Sequence, residues 1–456
     1  MQKLFDEIGS IDTRCYEQLH LSEDILMEHA ANGMATFIAH KFAKKSTVII
    51  VCGSGNNGAD GCACARLLHG EYDVGIYYAK EPKSAMAKLQ ASRAKSIDVK
   101  ILEELYESDV LVDALVGTGF SGELNAQLSV LMDIMNNSNA YKIACDVPSG
   151  YKFFADTTLS MGALKKDMYL DAHKDALGEV KVLNLGVTRN VYEAEGKSAY
   201  NLLEWVDMHL PNRDKDDAHK GTFGHLAIAS GNKVGASVLS ALSALRFGAG
   251  LVTLVGYEKE GIASSIMYSH ELPRNTTALA IGMGLGDDFN DKELAKFLDN
   301  EYPIIIDADI FSMGIVKKFL KKRNVVLTPH PKEFVHLLKE LDLLNISVEV
   351  LQKNRFKYVE MFHNAYPNAT LLLKGANVII ADSGRYFVNA YGSAKLAKGG
   401  SGDVLSGLIG ALLAQGYSPL DATISASLAH TKLAQNYEGA DFSLTPDDLI
   451  DGISKL

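Results

Sequence analysis

From Ser22 the segment EDILMEHAANGMATFIAHKF places apolar residues at helical spacing over 22–45, with Ser22 ready to cap its first turn. It leads into STVIIVC (46–52), a short unbroken apolar run of the kind shown by strands buried on both faces. A glycine-rich loop and a second helix, over about 57–69, come next. DVGIYY, DVLVDALVG and YKIACDVPSG then read as strands separated by helical stretches. Strands alternating with helices predict a parallel sheet covered by helices.

The pattern breaks near 205–220, where WVDMHLPNRDKDDAHKG is polar and charged and predicts a linker, with domains over 1–208 and 209–456. A second alternating series follows. HLAIAS, LVTLVG, ALAIGMG, YPIIIDAD, NVVLTPH and TLLLKG, then NVIIAD and YFVN, read as strands; helices are predicted notably at 236–248, 332–340 and 348–363. From Asp403, residues Val404, Leu405, Leu408, Ile409, Leu412 and Leu413 trace a helical stripe that Gly416 ends. Two more helices close the chain, the last capped by Thr445 with Pro446 in its first turn. The fold class is α/β throughout.

Composition narrows the partners. The 456 residues are 47% hydrophobic, enough for two sizeable cores. A net charge of −11 without a long basic run argues against nucleic acid and against an anionic membrane. MQKLFDEIGSIDTRC lacks the apolar core of a secretory signal, and no run approaches the roughly 18 apolar residues of a membrane span. The five cysteines, Cys15, Cys52, Cys62, Cys64 and Cys145, are odd in number and sit mostly in apolar contexts. Buried free thiols in a reducing cytoplasm are expected.

Gly53-Ser54-Gly55-Asn56-Asn57-Gly58 matches the G-x-G-x-x-G dinucleotide fingerprint between a strand and a helix. That fingerprint also wants an acidic residue ending the next strand, and DVGIYYAK ends in Ala79 and Lys80. A dehydrogenase is therefore the lesser reading. The loop carries Asn56, Asn57 and Asp60 instead, and two more strand ends bring Asp113 with GTGFSGE and Asp146-Val147-Pro148-Ser149-Gly150 to the same sheet edge. Asn57, Asp113 and Ser149 offer hard oxygens, suited to an alkali or alkaline-earth cation rather than zinc. Singly such residues cap helices and shape turns; three at neighbouring strand ends read as a site.

LAKGGSGDVLSGLIGALL, at Leu396–Leu413, sets small residues and one carboxylate before an apolar helix. Backbone amides at a helix start attract anions. Asp403 there either meets the helix dipole or takes a proton from a hydroxyl about to be phosphorylated.

GNNGADG, VDALVGTG and DVPSG resemble the motifs of NAD(P)H-hydrate epimerases, over about residues 1–205. The resemblance implies a Rossmann-like domain in which Asn56, Asn57, Gly58, Ala59 and Asp60, with Gly117, Thr118, Gly119, Phe120, Ser121, Gly122 and Glu123, contact the hydrated nicotinamide nucleotide. It implies potassium (K+) at Asn57, Asp113 and Ser149, and Asp146 as substrate contact and acid/base group. Ala59 departs from a usual glycine at a place where a methyl can crowd a close backbone approach, and the motif leaves the effect open.

HKGTFGHLAIASG, GASVLSALSALRFGAGLVTL, AIGMGLG, IIIDAD, LTPHPKEF, LLLKGA and GGSGDVLSG, in that order over about 210–456, resemble the ADP- or ATP-dependent NAD(P)H-hydrate dehydratases. This implies a ribokinase-like fold. Ser393, Ala394, Lys395, Leu396, Ala397, Lys398, Gly399, Gly400, Ser401 and Gly402 would wrap the donor phosphates, and Lys374, Gly375, Ala376, Asn377 and Val378 form a second nucleotide-binding stretch. Ala236, Gly284, His330, Pro331, Lys332, Glu333, Phe334, Val335 and His336 would contact substrate, with Glu333 helping to orient magnesium (Mg2+). Asp403 would accept the proton of the hydroxyl on ring carbon six. Lys332 and Ser401 depart from the usual HPGE and GTGD.

Together the resemblances imply a bifunctional metabolite-repair enzyme. One domain would epimerise the S- and R-forms of hydrated NADH and NADPH, and the other would dehydrate the S-form with ADP as phosphate donor. Small-molecule substrates and a homo-oligomer are expected, with no nucleic acid and no membrane. Two alternatives stand beside it: a kinase of a small hydroxylated metabolite, and a nonenzymatic nucleotide-binding module.

Overall fold

The structure, a computed structural model, describes residues 1–120, 122–214, 216–256 and 263–456. It divides into two compact units, Lys3–Ser198 and Ala199–Leu456, the latter including Met1–Gln2. This division precedes the expected 208/209 boundary because the strand Tyr200–Leu202 pairs with Tyr386–Val388 of the second unit. The polar run expected as a linker starts inside that unit too, where Trp205 stacks on Tyr391 with ring centroids 3.9 Å apart.

In the first unit seven parallel strands run in the spatial order Lys100–Leu102, Asp73–Tyr78, Thr47–Cys52, Val110–Ala114, Tyr141–Cys145, Thr157–Met161 and Glu179–Leu183. The period of two along a strand sorts its side chains between two cores. Val48, Ile50 and Cys52 meet Ala31, Met34 and Ile38, whereas Ile49 and Val51 meet Leu128, Met132 and Met135. The predicted helix runs over Glu23–Lys41, and Ser22 Oγ accepts from Ile25 N at 3.4 Å. It stops before 45 because Phe42 turns extended. The chain leaves Thr47–Cys52 toward one edge and returns on its other side at Val110–Ala114. Those two strands flank the switch point, where open α/β sheets bind ligands beyond the strands' carboxyl ends.

The second unit orders its strands as Met267–Ser269, Leu251–Gly256, His225–Ser230, Ala278–Ile281, Ile304–Ile306, Val325–Leu327 and Ala369–Leu373, all parallel. Val378–Asp382 and Arg385–Asn389 add antiparallel strands, and Tyr200–Leu202 pairs parallel to Arg385–Asn389. The predicted helix at 348–363 is two helices, Val348–Lys353 and Arg355–Ala365, broken at Asn354 (φ −142°, ψ 41°). The apolar stripe found from Asp403 belongs to the helix Ser401–Ala414, and Gly416 follows it at φ +89°. That helix packs closely on Val234–Arg246. A Cβ on Gly407 would lie 1.9 Å from Ser243 Oγ and 2.2 Å from Ser240 O.

Candidate active sites

In the first unit the tight turn after Thr47–Cys52 needs glycine where backbones nearly touch. A Cβ on Gly53 would lie 1.8 Å from Leu115 O, and one on Gly58 2.0 Å from Gly53 O. Ala59, by contrast, is fully buried and its methyl packs with Met27 and Ala87. Asp113 is also fully buried. Its Oδ1 accepts from Ser149 Oγ at 2.6 Å and Leu115 N at 3.1 Å, and its Oδ2 accepts from Ser149 N at 2.8 Å. Burial pushes the Asp113 carboxyl up to about 6. Ser149 Oγ lies 3.2 Å from Val116 O, and a Cβ on the next residue, Gly117, would sit 3.5 Å from Asn57 Oδ1. The three residues expected to share a cation thus meet around segment 113–117. The Asn57 Nδ2 is buried with no hydrogen-bond partner among the described residues.

Asp146 sits nearby in the left-handed region, at φ +68°. Its Oδ1 accepts from Met161 N at 3.0 Å and pairs with Lys165 Nζ, whose own side chain is 5% exposed. Lys165 also donates to Ser160 Oγ at 2.9 Å and Met161 O at 3.1 Å. Sequence reasoning missed this lysine; its signal was a charge directly after the apolar run LSMGAL, the first of the pair Lys165-Lys166. Lys165 borders a cavity of about 480 Å³ whose wall includes Gly117, Thr118, Gly119, Phe120 and Gly122. Burial, and then the charge of Asp146, push Asp60 well above the usual carboxylate range. Asn56 is exposed and donates to Glu23 Oε1 at 2.6 Å, and Glu123 is exposed. Ser121 lies outside the described residues.

In the second unit Gly400, at φ +90°, turns the chain into the helix Ser401–Ala414, with Asp403 in the first turn. Burial, reinforced by the charge of Asp307, pushes the Asp403 carboxyl up to about 6. Lys374 Nζ lies 3.1 Å from where a Cβ on Gly402 would stand, so the ammonium abuts the helix start. The same ammonium pairs with Asp307 at 2.8 Å. Ser401 Oγ meets His430 Nε2 at 3.1 Å, and burial pushes that imidazole down to about 4. Ala394, Ala397, Lys398 and Gly399 form an exposed lip; Lys398 Nζ bonds Phe442 O at 2.7 Å and Lys395 pairs with Asp441 at 3.0 Å.

Arg355 is a second residue that the sequence did not reveal. It is fully buried, and its guanidinium donates to Asn377 O at 2.8 Å and Lys374 O at 2.9 Å, holding the turn Lys374–Val378 from below. Asn377 and Val378 are buried, while Gly375 and Ala376 are exposed.

His330 caps the helix Pro331–Glu340, its Nδ1 accepting from Lys332 N at 3.1 Å, while Glu333 Oε2 accepts from His330 N at 2.8 Å. Burial pushes the Glu333 carboxyl up to about 7. Lys332 and His336 are exposed. Phe334, expected among the substrate contacts, has its side chain fully buried edge-on to Phe362, at 5.8 Å, because Phe334, Leu337 and Leu338 form the core face of this helix. Its side chain offers no surface to a ligand. Gly284 lies at φ +74°, where a Cβ would be 3.2 Å from the Ala236 methyl, so these two expected contacts are neighbours.

The family described as NAD(P)H-hydrate dehydratase matches residues 226–455, and that described as YjeF-related protein N-terminus matches 23–170. A bifunctional NAD(P)H-hydrate repair enzyme (Nnr) of Helicobacter pylori is 41% identical over 479 aligned positions, covering 100% of both chains. The enzyme of the same name from Coxiella burnetii is 32% identical over 94% of each chain. Among solved structures, an ADP/ATP-dependent NAD(P)H-hydrate dehydratase of Bacillus subtilis co-crystallised with ATP and Mg2+ is 27% identical, covering 54% of this chain and 92% of its own, at a TM-score of 0.46. The chain belongs to the family of bifunctional NAD(P)H-hydrate repair enzymes.

Proposed function

We propose that this protein restores hydrated NADH and NADPH, its first unit interconverting the S- and R-forms and its second dehydrating the S-form with ADP as phosphate donor. The observation that carries the reading is Asp403 beside Lys374 at the glycine-lined start of Ser401–Ala414. A base and a cation at an anion cradle are what transfer of a phosphoryl group to a hydroxyl requires.

In the second unit Asp403 takes the proton of the hydroxyl on ring carbon six as that oxygen attacks the terminal phosphorus of ADP, and AMP leaves. The carbon–oxygen bond then breaks with its electron pair on the departing phosphate, helped by the ring nitrogen. Loss of a proton from the adjacent carbon restores the dihydropyridine. Lys374 and the amides of the cradle offset charge at the transferring phosphate. Magnesium fits beside Glu333, a partly buried carboxylate facing Lys374 and Asp307, and would neutralise phosphate charge there.

In the first unit the Asp146–Lys165 pair gives the proton held on the ammonium, relayed through the carboxylate, to the departing hydroxyl, and Asp146 then takes one from the water that adds to the opposite ring face, which restores the pair. Lys165 holds the carboxylate at the cavity wall. Potassium suits the oxygens of Asn57, Asp113 and Ser149, a set with one formal negative charge, and would anchor the Gly117–Phe120 loop. Five buried free cysteines support a cytoplasmic setting.

The test gives the enzyme a mixture of both hydrate epimers, magnesium and either ADP or ATP, and follows NADH absorbance. Complete recovery with ADP supports the reading. A phosphorylated product that accumulates points to a kinase, and nucleotide binding without turnover points to a sensing module.

A further inference from the structure

Asp307 belongs to the run IIIDAD, to which the sequence attached no role. Its carboxylate is 2% exposed, just past the strand Ile304–Ile306. Donors surround it. Lys374 Nζ reaches Oδ1 at 2.8 Å and Oδ2 at 3.0 Å, Ser406 Oγ donates to Oδ2 at 2.6 Å, and Ala308 N to Oδ1 at 2.9 Å. Capping the turn Ala308–Ser312 needs the Ala308 bond alone.

The remaining bonds point toward the reacting groups. Ser406 lies three residues beyond Asp403 on one helix, so the two share a face and Asp307 sits about one turn beneath Asp403. The backbone fixes that place tightly. Ala308 takes φ +49°, and a Cβ on Gly282 would lie 1.7 Å from Asp307 O. Asp307 is therefore held from the strand side, the helix side and by the lysine at once.

Resting on the dehydratase reading above, we propose that Asp307 is a positioning residue: from beneath Asp403 it fixes the Lys374 ammonium at the amino end of Ser401–Ala414, aimed at the phosphate in transfer. A lysine stem is long and rotamer-rich, and an ammonium held in place before the donor arrives need not be ordered during reaction. An ammonium carries three N–H donors, so a carboxylate partner leaves capacity for a phosphate oxygen.

The groups that face Asp403 are known. They are Asp307 and Asp309 from the turn after Ile304–Ile306, and Lys374 from the end of Ala369–Leu373. Ser240 of Val234–Arg246 donates to the Asp403 carbonyl at 2.8 Å, and His430 of Pro419–Asn436 meets Ser401. Removing the Asp307 charge removes a repulsion from Asp403.

Asp307→Asn keeps the shape and one acceptor for Lys374. Dehydration of the S-form with ADP and magnesium should lose about 10–100-fold in kcat, with the KM for ADP changed less than about threefold. The acid limb of its pH profile should move to lower pH. The doubly neutral Asp307→Asn/Lys374→Gln leaves no unpaired buried charge and serves if the single variant does not fold. Its rate should match that of Lys374→Gln within about threefold, because Asp307 acts through Lys374. Parent kcat and an unmoved acid limb in Asp307→Asn would overturn the proposal, as would a double variant about tenfold slower than Lys374→Gln. A parent enzyme that forms no NADH at all would instead overturn the dehydratase reading beneath it.

Discussion

The Asp146 carboxylate and the Lys165 ammonium form a buried ion pair, their side chains 11% and 5% exposed. Breaking such a pair from one side leaves an uncompensated charge in a poorly solvated place, which typically costs about 3–5 kcal/mol. Lys165→Met should therefore lower the melting transition of the first unit and slow epimerisation. Given both hydrate epimers, the variant should recover the S-fraction as NADH quickly and then stall. Recovery of the whole mixture at the parent rate would show that Lys165 has no part in the reaction.

Asp403→Asn keeps the cradle and removes the proposed base, so dehydration should fall by about 10²–10⁴-fold while ADP still binds. In the parent, kcat for the S-form should decline as pH drops through about 6, the value to which burial pushes this carboxyl. The sign for stability is the reverse. A carboxyl raised in the folded state is penalised above its folded pKa, and that penalty fades as pH falls through about 6 toward the unfolded value. At pH 7 Asp403→Asn should accordingly stabilise the second unit, by about 1–2 kcal/mol after allowing for partial solvent exposure. Calorimetry of the two proteins at pH 7 and pH 5 checks this, with the difference expected to shrink at the lower pH.

Potassium should support epimerisation. Replacing it with a bulky tetraalkylammonium ion should slow the exchange between epimers, and Ser149→Ala should raise the potassium needed by about tenfold or more. The measurement is epimerisation rate against potassium concentration. A rate unchanged after rigorous removal of potassium would sink the assignment.

Arg355→Met removes the guanidinium donors to Asn377 O and Lys374 O beneath the Lys374–Val378 turn. A loss of about 1–3 kcal/mol is expected, read as a lower melting transition of the second unit. The KM for ADP should rise, because the turn loosens. Arg355→Lys should restore part of the stability.

Much of this protein was legible along the chain. Apolar runs such as TVIIVC and HLAIAS became strands, Ser22 and Thr445 cap helices as their side chains suggest, and Asp403 stands in the first turn of its helix. These are local outcomes, governed by side-chain period and by hydrogen bonds within a few residues, so neighbouring sequence suffices to specify them. The order of the glycine motifs likewise carried the family. Where an element was short or its surroundings polar, as at Met267–Ser269 and Tyr200–Leu202, the local signal was too weak, and pairing with a strand already in place decided it.

Partnership was decided by tertiary structure alone. Lys165 reaches Asp146 across 19 residues, Lys374 reaches Asp307 across 67, and Arg355 reaches Asn377 across 22. The methyl of Ala59 found Met27 and Ala87 beside it, and Phe334 faces a core that its motif did not disclose. A charged or apolar side chain specifies what kind of neighbour it needs, but which neighbour arrives depends on how crossovers stack the strand ends. That arrangement is set by burial of the whole sheet, a sum over many residues that no single motif contains.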